Sequence, residues 1–183
     1  MGPTVDDLAT ALMEQPLQNV SAVSEVTLGG HPGKKVELSI PDDLFRQADE
    51  DLGKATALEP DRPGSWIDRG GVRNIWASAR ALRGENADEM YAAAVEDFGR
   101  GIELDRAGDS GWTYRGGVRT NWALVRAGRG VDPSELYAAA VEDFGAALER
   151  NPARAETWMQ RGLARLNWGN HALGTGKDPG ELF

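Results

Sequence analysis

A period of 46 residues constrains the fold of this 183-residue chain more than any other feature of its sequence. Residues 61–106 align without a gap on residues 107–152, and 23 of the 46 aligned positions are identical. Trp66 recurs as Trp112 and Trp158 at the same interval. Self-similarity at a period of roughly 20 to 50 residues is typical of arrays in which each unit is one supersecondary element. We therefore expect a stack of repeated units.

Each unit has the pattern of two helices. The first, about residues 65–82, carries its repeated residues three and four positions apart, as one face of a helix requires. The second, about residues 87–104, carries Tyr91, Ala94 and Phe98 at helical spacing. End signals recur with the period: glycines that suit the end of the first helix and capping side chains before the second. These residues are Gly84, Gly130 and Gly176, and Asn86, Asp132 and Asp178.

The order of residues in the unit resembles the tetratricopeptide repeat. The matching residues are Trp66, Gly70, Tyr91, Ala94 and Phe98, with Ala147 and Pro152 in the later positions of the next unit. The resemblance implies an array of antiparallel helix hairpins, an α-solenoid, that binds other proteins. Because the family's usual unit has about 34 residues, this chain carries about 12 more in each unit. The chain also departs from the family pattern at Arg69, Arg73 and Gly101.

The predicted fold is mainly α, with a helical array preceded by a small appendage. Within residues 1–40, residues 5–15 have the pattern of a short amphipathic helix, and residues 23–28 and 35–40 alternate as the strands of a β-hairpin do. The hairpin segment resembles one in small actinobacterial extracytoplasmic domains. The array spans residues 41–183, with units at 41–60 (partial), 61–106, 107–152 and 153–183 (partial). The partial units lead us to expect that the chain is a piece of a longer bacterial protein.

The repeated arginines admit two interpretations. They could form a ladder of guanidinium groups that grips acidic partners, or they could pair with acids that recur at the same period. The matched recurrence of both signs favours internal pairing, and we predict that Arg69 and Arg115 contact acids of the second helices. Gly70 then allows close helix packing, and the tryptophans are expected in the core rather than around a ligand. The predicted framework is Trp66, Arg69, Gly70, Arg73, Trp76, Glu96, Asp97, Trp112, Arg115, Arg119, Trp122, Glu142 and Asp143.

A second stripe on the first helices varies between units while the framework does not. In the tetratricopeptide family this stripe lines a concave binding surface. The resemblance therefore implies a partner-binding site for a protein or peptide, although relaxed surface drift would produce the same variation. The residues are Ile67, Gly71, Asn74, Ile75, Thr113, Gly117, Thr120, Asn121, Met159, Leu163, Leu166 and Asn167.

The composition of the chain argues against several classes of function. The net charge of -9 argues against nucleic acid as a partner, because phosphate contacts need clustered Lys and Arg. Cysteine is absent, and His31 and His171 stand in unlike contexts, so we expect no metal site and no cofactor. No apolar run is long enough for a membrane span, and the cytoplasm is the default location. No nucleophile or phosphate-loop motif occurs, so the prediction is a scaffold rather than an enzyme. The alternative is an accessory fragment of a multidomain protein without autonomous activity.

Overall fold

The computed structural model describes residues 20–28, 31–38 and 41–182. Two strands precede the helices: β1 (Val20–Leu28) and β2 (His31–Leu38). The predicted helix at residues 5–15 lies outside the described residues, and so do residues 29 and 30. The α-helices of the described part are α1 (Asp42–Leu58), α2 (Pro63–Leu82), α3 (Asp88–Leu104), α4 (Ser110–Gly128), α5 (Ser134–Arg150) and α6 (Ala155–Gly174), followed by a 3₁₀ turn (Pro179–Glu181).

The chain divides into two compact units, Met1–Arg46 and Gln47–Phe183. In the first, β1 and β2 pair antiparallel, with Leu28 opposite His31 and an irregularity near the start of β1. The second contains α2 to α6 and most of α1. Its helices match the two-helix pattern of each 46-residue unit, so the prediction of a mainly α-helical chain is confirmed.

The first helices α2, α4 and α6 end in the same way. Gly84, Gly130 and Gly176 lie two residues beyond these helices and have φ of 77°, 73° and 75°. In each case the glycine N–H and the next N–H donate to carbonyls of the last turn; at α2, for example, Glu85 donates to Arg80 at 3.1 Å. This pattern is the Schellman motif, in which a left-handed residue satisfies the free carbonyls of a helix end. Glycine fits because a Cβ disfavours positive φ.

The second helices begin at the predicted capping residues. Asn86 accepts the backbone N–H of Asp88 at 3.1 Å, and Asp132 accepts that of Ser134 at 3.0 Å. These bonds satisfy backbone donors that a helix leaves free at its start. The hydrogen bonds to the Asp132 carboxylate lower its pKa to about 2, led by the Ser134 hydroxyl. Connections of this kind bring each second helix back along its first helix.

The two helices of a unit pack antiparallel. Ile67 near the start of α2 meets Gly101 near the end of α3, whereas the Ser78 and Tyr91 hydroxyls lie 3.1 Å apart near the other end. The core around α2 and α3 is formed by almost fully buried residues of these helices, of the connection before α3 and of the next first helix, α4. These are Ala77, Ala87, Tyr91, Ala94, Phe98 and Val118. Successive units also contact each other, as the helix pairs α3–α4 and α5–α6 do.

Close approach of the two helices depends on one glycine in α2 and one in α4. A Cβ at Gly116 would lie 2.9 Å from the Phe144 ring, and one at Gly70 would lie 3.0 Å from the Phe98 ring. The prediction that the first glycine of the pair permits close packing is therefore confirmed. Glycine also makes room for a larger side chain at Gly101, where a Cβ would lie 2.8 Å from Ile67. The next unit has Ala147 there, and Thr113 in place of the longer isoleucine.

Alanine at two equivalent glycines tests this packing. Gly116→Ala is expected to lower the free energy of unfolding by roughly 1–2 kcal/mol, because the new methyl group overpacks the buried Phe144. Gly162→Ala is the matched control at the same position of the next unit, where nothing lies within 4 Å of the added Cβ. There the gain in helix propensity is expected to raise stability by roughly 0.5–1 kcal/mol. Urea unfolding followed by circular dichroism measures both, and equal effects would contradict the packing role of Gly116.

Candidate functional site

Eleven of the twelve residues predicted to bind a partner line one open groove. The groove has a volume of about 970 Å³, near the upper end of the range typical of ligand sites. It runs over the first helices α2, α4 and α6, all within the unit Gln47–Phe183. The predicted residues that line it are Ile67, Gly71, Asn74, Ile75, Thr113, Gly117, Thr120, Asn121, Met159, Leu163 and Asn167.

Leu166 is the exception among the twelve, and its part in binding a partner stays a prediction. It is 57% exposed but does not line the groove. The equivalent positions on α2 and α4, Asn74 and Thr120, do line it. Among the described first helices, α4 lies between two others, α2 and α6. By contrast, α6 has another first helix, α4, on one side only. Residues on the side of α6 away from α4 therefore lie outside the groove.

The groove is wider than the stripe that the sequence indicated. Its further lining residues neighbour the predicted ones along each helix or come from the second helices. They are Leu52, Asp68, Val72, Phe98, Tyr114, Val118, Leu124 and Gln160. Most of them could have been predicted from the sequence. A surface shared by neighbouring helices includes two adjacent residues per turn, and these residues lie next to the predicted stripe. Leu52 and Phe98 reach the groove from α1 and α3, which the family pattern does not indicate.

Side chains in the groove offer apolar surface and uncharged polar groups. Ile75, Leu124, Met159 and Leu163 are each about half exposed, at 55%, 45%, 59% and 50%. The Asn121 side-chain amide donates to the Asn74 side-chain oxygen at 3.3 Å, which links α4 to α2 across the groove.

Two threonines of the groove already form hydrogen bonds within the protein. Thr113 is 1% exposed, and its hydroxyl lies 3.0 Å from that of Thr157. The Thr120 hydroxyl donates to the Gly116 carbonyl at 2.9 Å, within its own helix. These residues form the wall of the groove, and the asparagines supply its available amide groups.

The repeated arginines do not enter the groove. Arg69 donates to the carboxylate of Asp97 through Nε at 2.9 Å and Nη2 at 2.5 Å. Arg115 makes the equivalent pair with Asp143, with its Nη2 2.7 Å from the carboxylate. The predicted contact of Arg69 and Arg115 with acids of the second helices is therefore confirmed.

A second arginine, one turn along the same helix, completes each ion group. Arg73 donates to Asp97 at 2.9 Å, and Arg119 donates to Asp143 at 2.6 Å. The aspartate side chains are only 3% and 2% exposed. A carboxylate buried to this extent is stable only when its charge is paired and its oxygens accept hydrogen bonds. We call each buried aspartate with its two arginines an aspartate node.

The glutamates of the predicted framework do not take part in the aspartate nodes. Glu96 and Glu142 are exposed, and no arginine forms an ion pair with either one in the described part of the chain. Adjacent residues of a helix lie about 100° apart, so only one acid of each Glu-Asp pair can point at the first helix. That acid is the aspartate, and the assignment of the glutamates to the framework was wrong.

The two aspartate nodes differ in one partner. Arg73 also donates to Asp49 of α1 at 2.6 Å. Arg119 donates instead to the backbone carbonyl of Ala139 at 3.2 Å, because Val95 stands at the position equivalent to Asp49. Burial alone lowers the pKa of an arginine, and it does so for Arg119. For Arg73 burial is outweighed by the hydrogen bond to Asp49 and by the two carboxylate charges, so its pKa is raised.

The tryptophans support the framework. The guanidinium groups of Arg69 and Arg115 lie over the rings of Trp66 and Trp112, at 4.8 Å and 4.9 Å. Trp122 donates to Asp88 at 2.7 Å and stacks on Tyr91. Contacts of this kind stabilise arginine positions and helix packing.

No tryptophan is among the described residues that line the groove, and Trp76 is half-buried outside it. The ligand-cradle interpretation therefore has no support, and a structural role is the better account of these side chains.

Comparison of the sequence with protein-family models and with curated proteins gives no match. The tetratricopeptide assignment therefore stays a prediction from the residues named above. Among the described residues, no three His, Asp or Glu side chains come together in a metal-binding arrangement. No helix in the same residues is long and apolar enough to cross a membrane.

Removal of one buried carboxylate tests the aspartate node. Asp143→Asn is expected to lower the free energy of unfolding by roughly 3 kcal/mol, because Arg115 and Arg119 lose the charge that compensates theirs. Glu142→Gln is the matched control, since it removes the adjacent exposed carboxylate and is expected to change stability by less than about 0.5 kcal/mol. Urea unfolding of both variants gives the values. Equal, small losses would show that the ion group contributes little.

Proposed function

We propose that this protein binds an extended segment of another protein in the groove formed by α2, α4 and α6. The observation that carries the proposal is the separation of two sets of residues. The repeated arginines and aspartates are engaged in the aspartate nodes, and Gly70 and Gly116 in the helix packing, whereas eleven residues of the predicted stripe, most of which differ between units, converge on one open surface. Large exposed apolar patches framed by polar residues mark interaction sites.

Variation along the groove supports a segment of irregular sequence. At one repeat position the three first helices present Asp68, Tyr114 and Gln160 to the groove. An identical side chain in each unit would suit a repetitive ligand, whereas different side chains suit a partner whose residues differ. The groove therefore offers each part of a bound segment a different surface.

The asparagine pair supports a peptide backbone as part of the ligand. In the bond from Asn121 to Asn74, the two side chains share one donor and one acceptor. A carboxamide has two donors and an acceptor with two lone pairs, so both side chains keep hydrogen-bonding capacity for a ligand. A peptide group needs one donor and one acceptor partner, and neutral amides supply both without the desolvation of a charge.

The proposal assigns a scaffolding role and no catalysis to the groove. Its lining has Asp68 as the single carboxylate, and Tyr114 is the other titratable side chain there. A general acid or base works through a partner that positions it against the reacting atoms. A role in recognition requires only the shape and polarity described above.

Blocking the groove with one side chain tests the proposal. Gly71 lines the groove, and nothing lies within 4 Å of a Cβ built there, so Gly71→Phe is expected to fill the space and leave the fold intact. Peptides selected from a displayed library of random sequences on the wild-type protein are expected to bind Gly71→Phe at least about tenfold more weakly. Isothermal titration calorimetry with the selected peptides measures this ratio.

The matched control is Gly162→Phe, at an exposed glycine of α6 that does not line the groove and also has open space. It is expected to bind the selected peptides as the wild type does. Asn74→Ala combined with Asn121→Ala is expected to weaken binding roughly fivefold or more, because backbone hydrogen bonds are lost. Peptides that bind all these variants equally would place recognition elsewhere and contradict the proposal.

A further inference from the structure

We propose that the groove selects an apolar segment that carries a basic residue, which Asp68 receives, and that it rejects acidic segments and free C-terminal carboxylates. This inference rests on the proposed function and specifies its partner.

The repeated arginine pairs of α2 and α4 are committed to the interior. The side chains of Arg69, Arg73, Arg115 and Arg119 are between 15% and 22% exposed, and each donates to a buried aspartate. None of them lines the groove, and its lining contains no Lys, Arg or His. A partner carboxylate would therefore enter a surface that has no cation to replace its lost hydration, which is unfavourable.

Asp68 is the one formally charged side chain among the described residues that line the groove. Its residue is exposed, and no ion pair involves its carboxylate in the described part of the chain. The neighbouring cation, Arg62, donates its hydrogen bond to Glu59 at 2.9 Å, and it interacts with Asp68 only through a charge attraction that adds to the raised pKa of Arg62. An exposed carboxylate beside apolar side chains fits a lysine or arginine, whose long stem packs on apolar surface while its charged end stays hydrated.

The charge of the whole chain acts in the same direction. The net charge of -9 gives the protein a negative field that attracts basic segments and repels acidic ones. Charges at the rim of a binding surface mainly change association rates and the dependence of binding on salt. We therefore expect a preference for basic segments that is largest at low ionic strength.

Library selection on two variants tests the charge preference. Peptides with blocked termini that are selected on the wild type are expected to be enriched in apolar residues with Lys or Arg and depleted of Asp and Glu. Selection on Asp68→Lys is expected to reverse the charge of the pool. The matched control is Glu96→Lys, an equal charge change at an exposed acid outside the groove, and its pool is expected to resemble that of the wild type.

Affinity measurements complete the test. A selected basic peptide is expected to bind Asp68→Asn about two- to fivefold more weakly than wild type in low salt, with a smaller ratio at about 0.5 M salt. A wild-type pool rich in acidic residues, one without charge preference, or a requirement for a free C-terminal carboxylate would overturn the inference. If such peptides still lose affinity on Gly71→Phe, only the charge preference fails. If Gly71→Phe changes nothing, the proposed groove itself is wrong.

Discussion

The described array depends on a carboxylate that is buried between two helices. Asp97 and Asp143 are almost completely inaccessible, and each accepts hydrogen bonds from two arginines one turn apart on the first helix of its unit. Two guanidinium groups on one face can meet one carboxylate only at a single axial register of the helices. The ion group therefore sets helix register, and it also turns the repeated arginines of α2 and α4 toward the second helices and away from the groove.

The paired glycines divide the first helix into two faces with different tasks. The first of the pair, Gly70 or Gly116, lies against a phenylalanine ring and allows the close approach that the ion group needs. The second, Gly71 or Gly117, lies on the groove. Each glycine destabilises a helix by about 1 kcal/mol relative to alanine. Packing offsets this for the first glycine. The second glycine leaves an open surface, which a bound partner would fill under the function that we propose.

Much of this arrangement could be predicted from the sequence because it repeats. The helices, their glycine ends and the contacts of Arg69 and Arg115 follow from residues that recur at the 46-residue period. Features that break the period could not be predicted in this way. Asp49 has no acidic equivalent in the next unit, so the extra partner of Arg73 left no repeated signal. Leu166 lies outside the groove because α6 has fewer neighbours than α4. Both Glu96 and Asp97 recur with the period, so the repeat does not show which of them pairs with the arginines. That is decided by which acid faces the first helix.

The short connection between the helices of a unit has a consequence for folding fidelity. The two aspartate nodes carry the same residue types, so their chemistry alone does not decide whether α2 pairs with α3 or with the near-identical α5. Only residues 83–87 separate α2 from α3, and the left-handed Gly84 turns the chain back at once. Closing a short loop loses less entropy than closing one that spans a whole unit. The turn thereby favours pairing of α2 with α3 over pairing with α5 of the same chain.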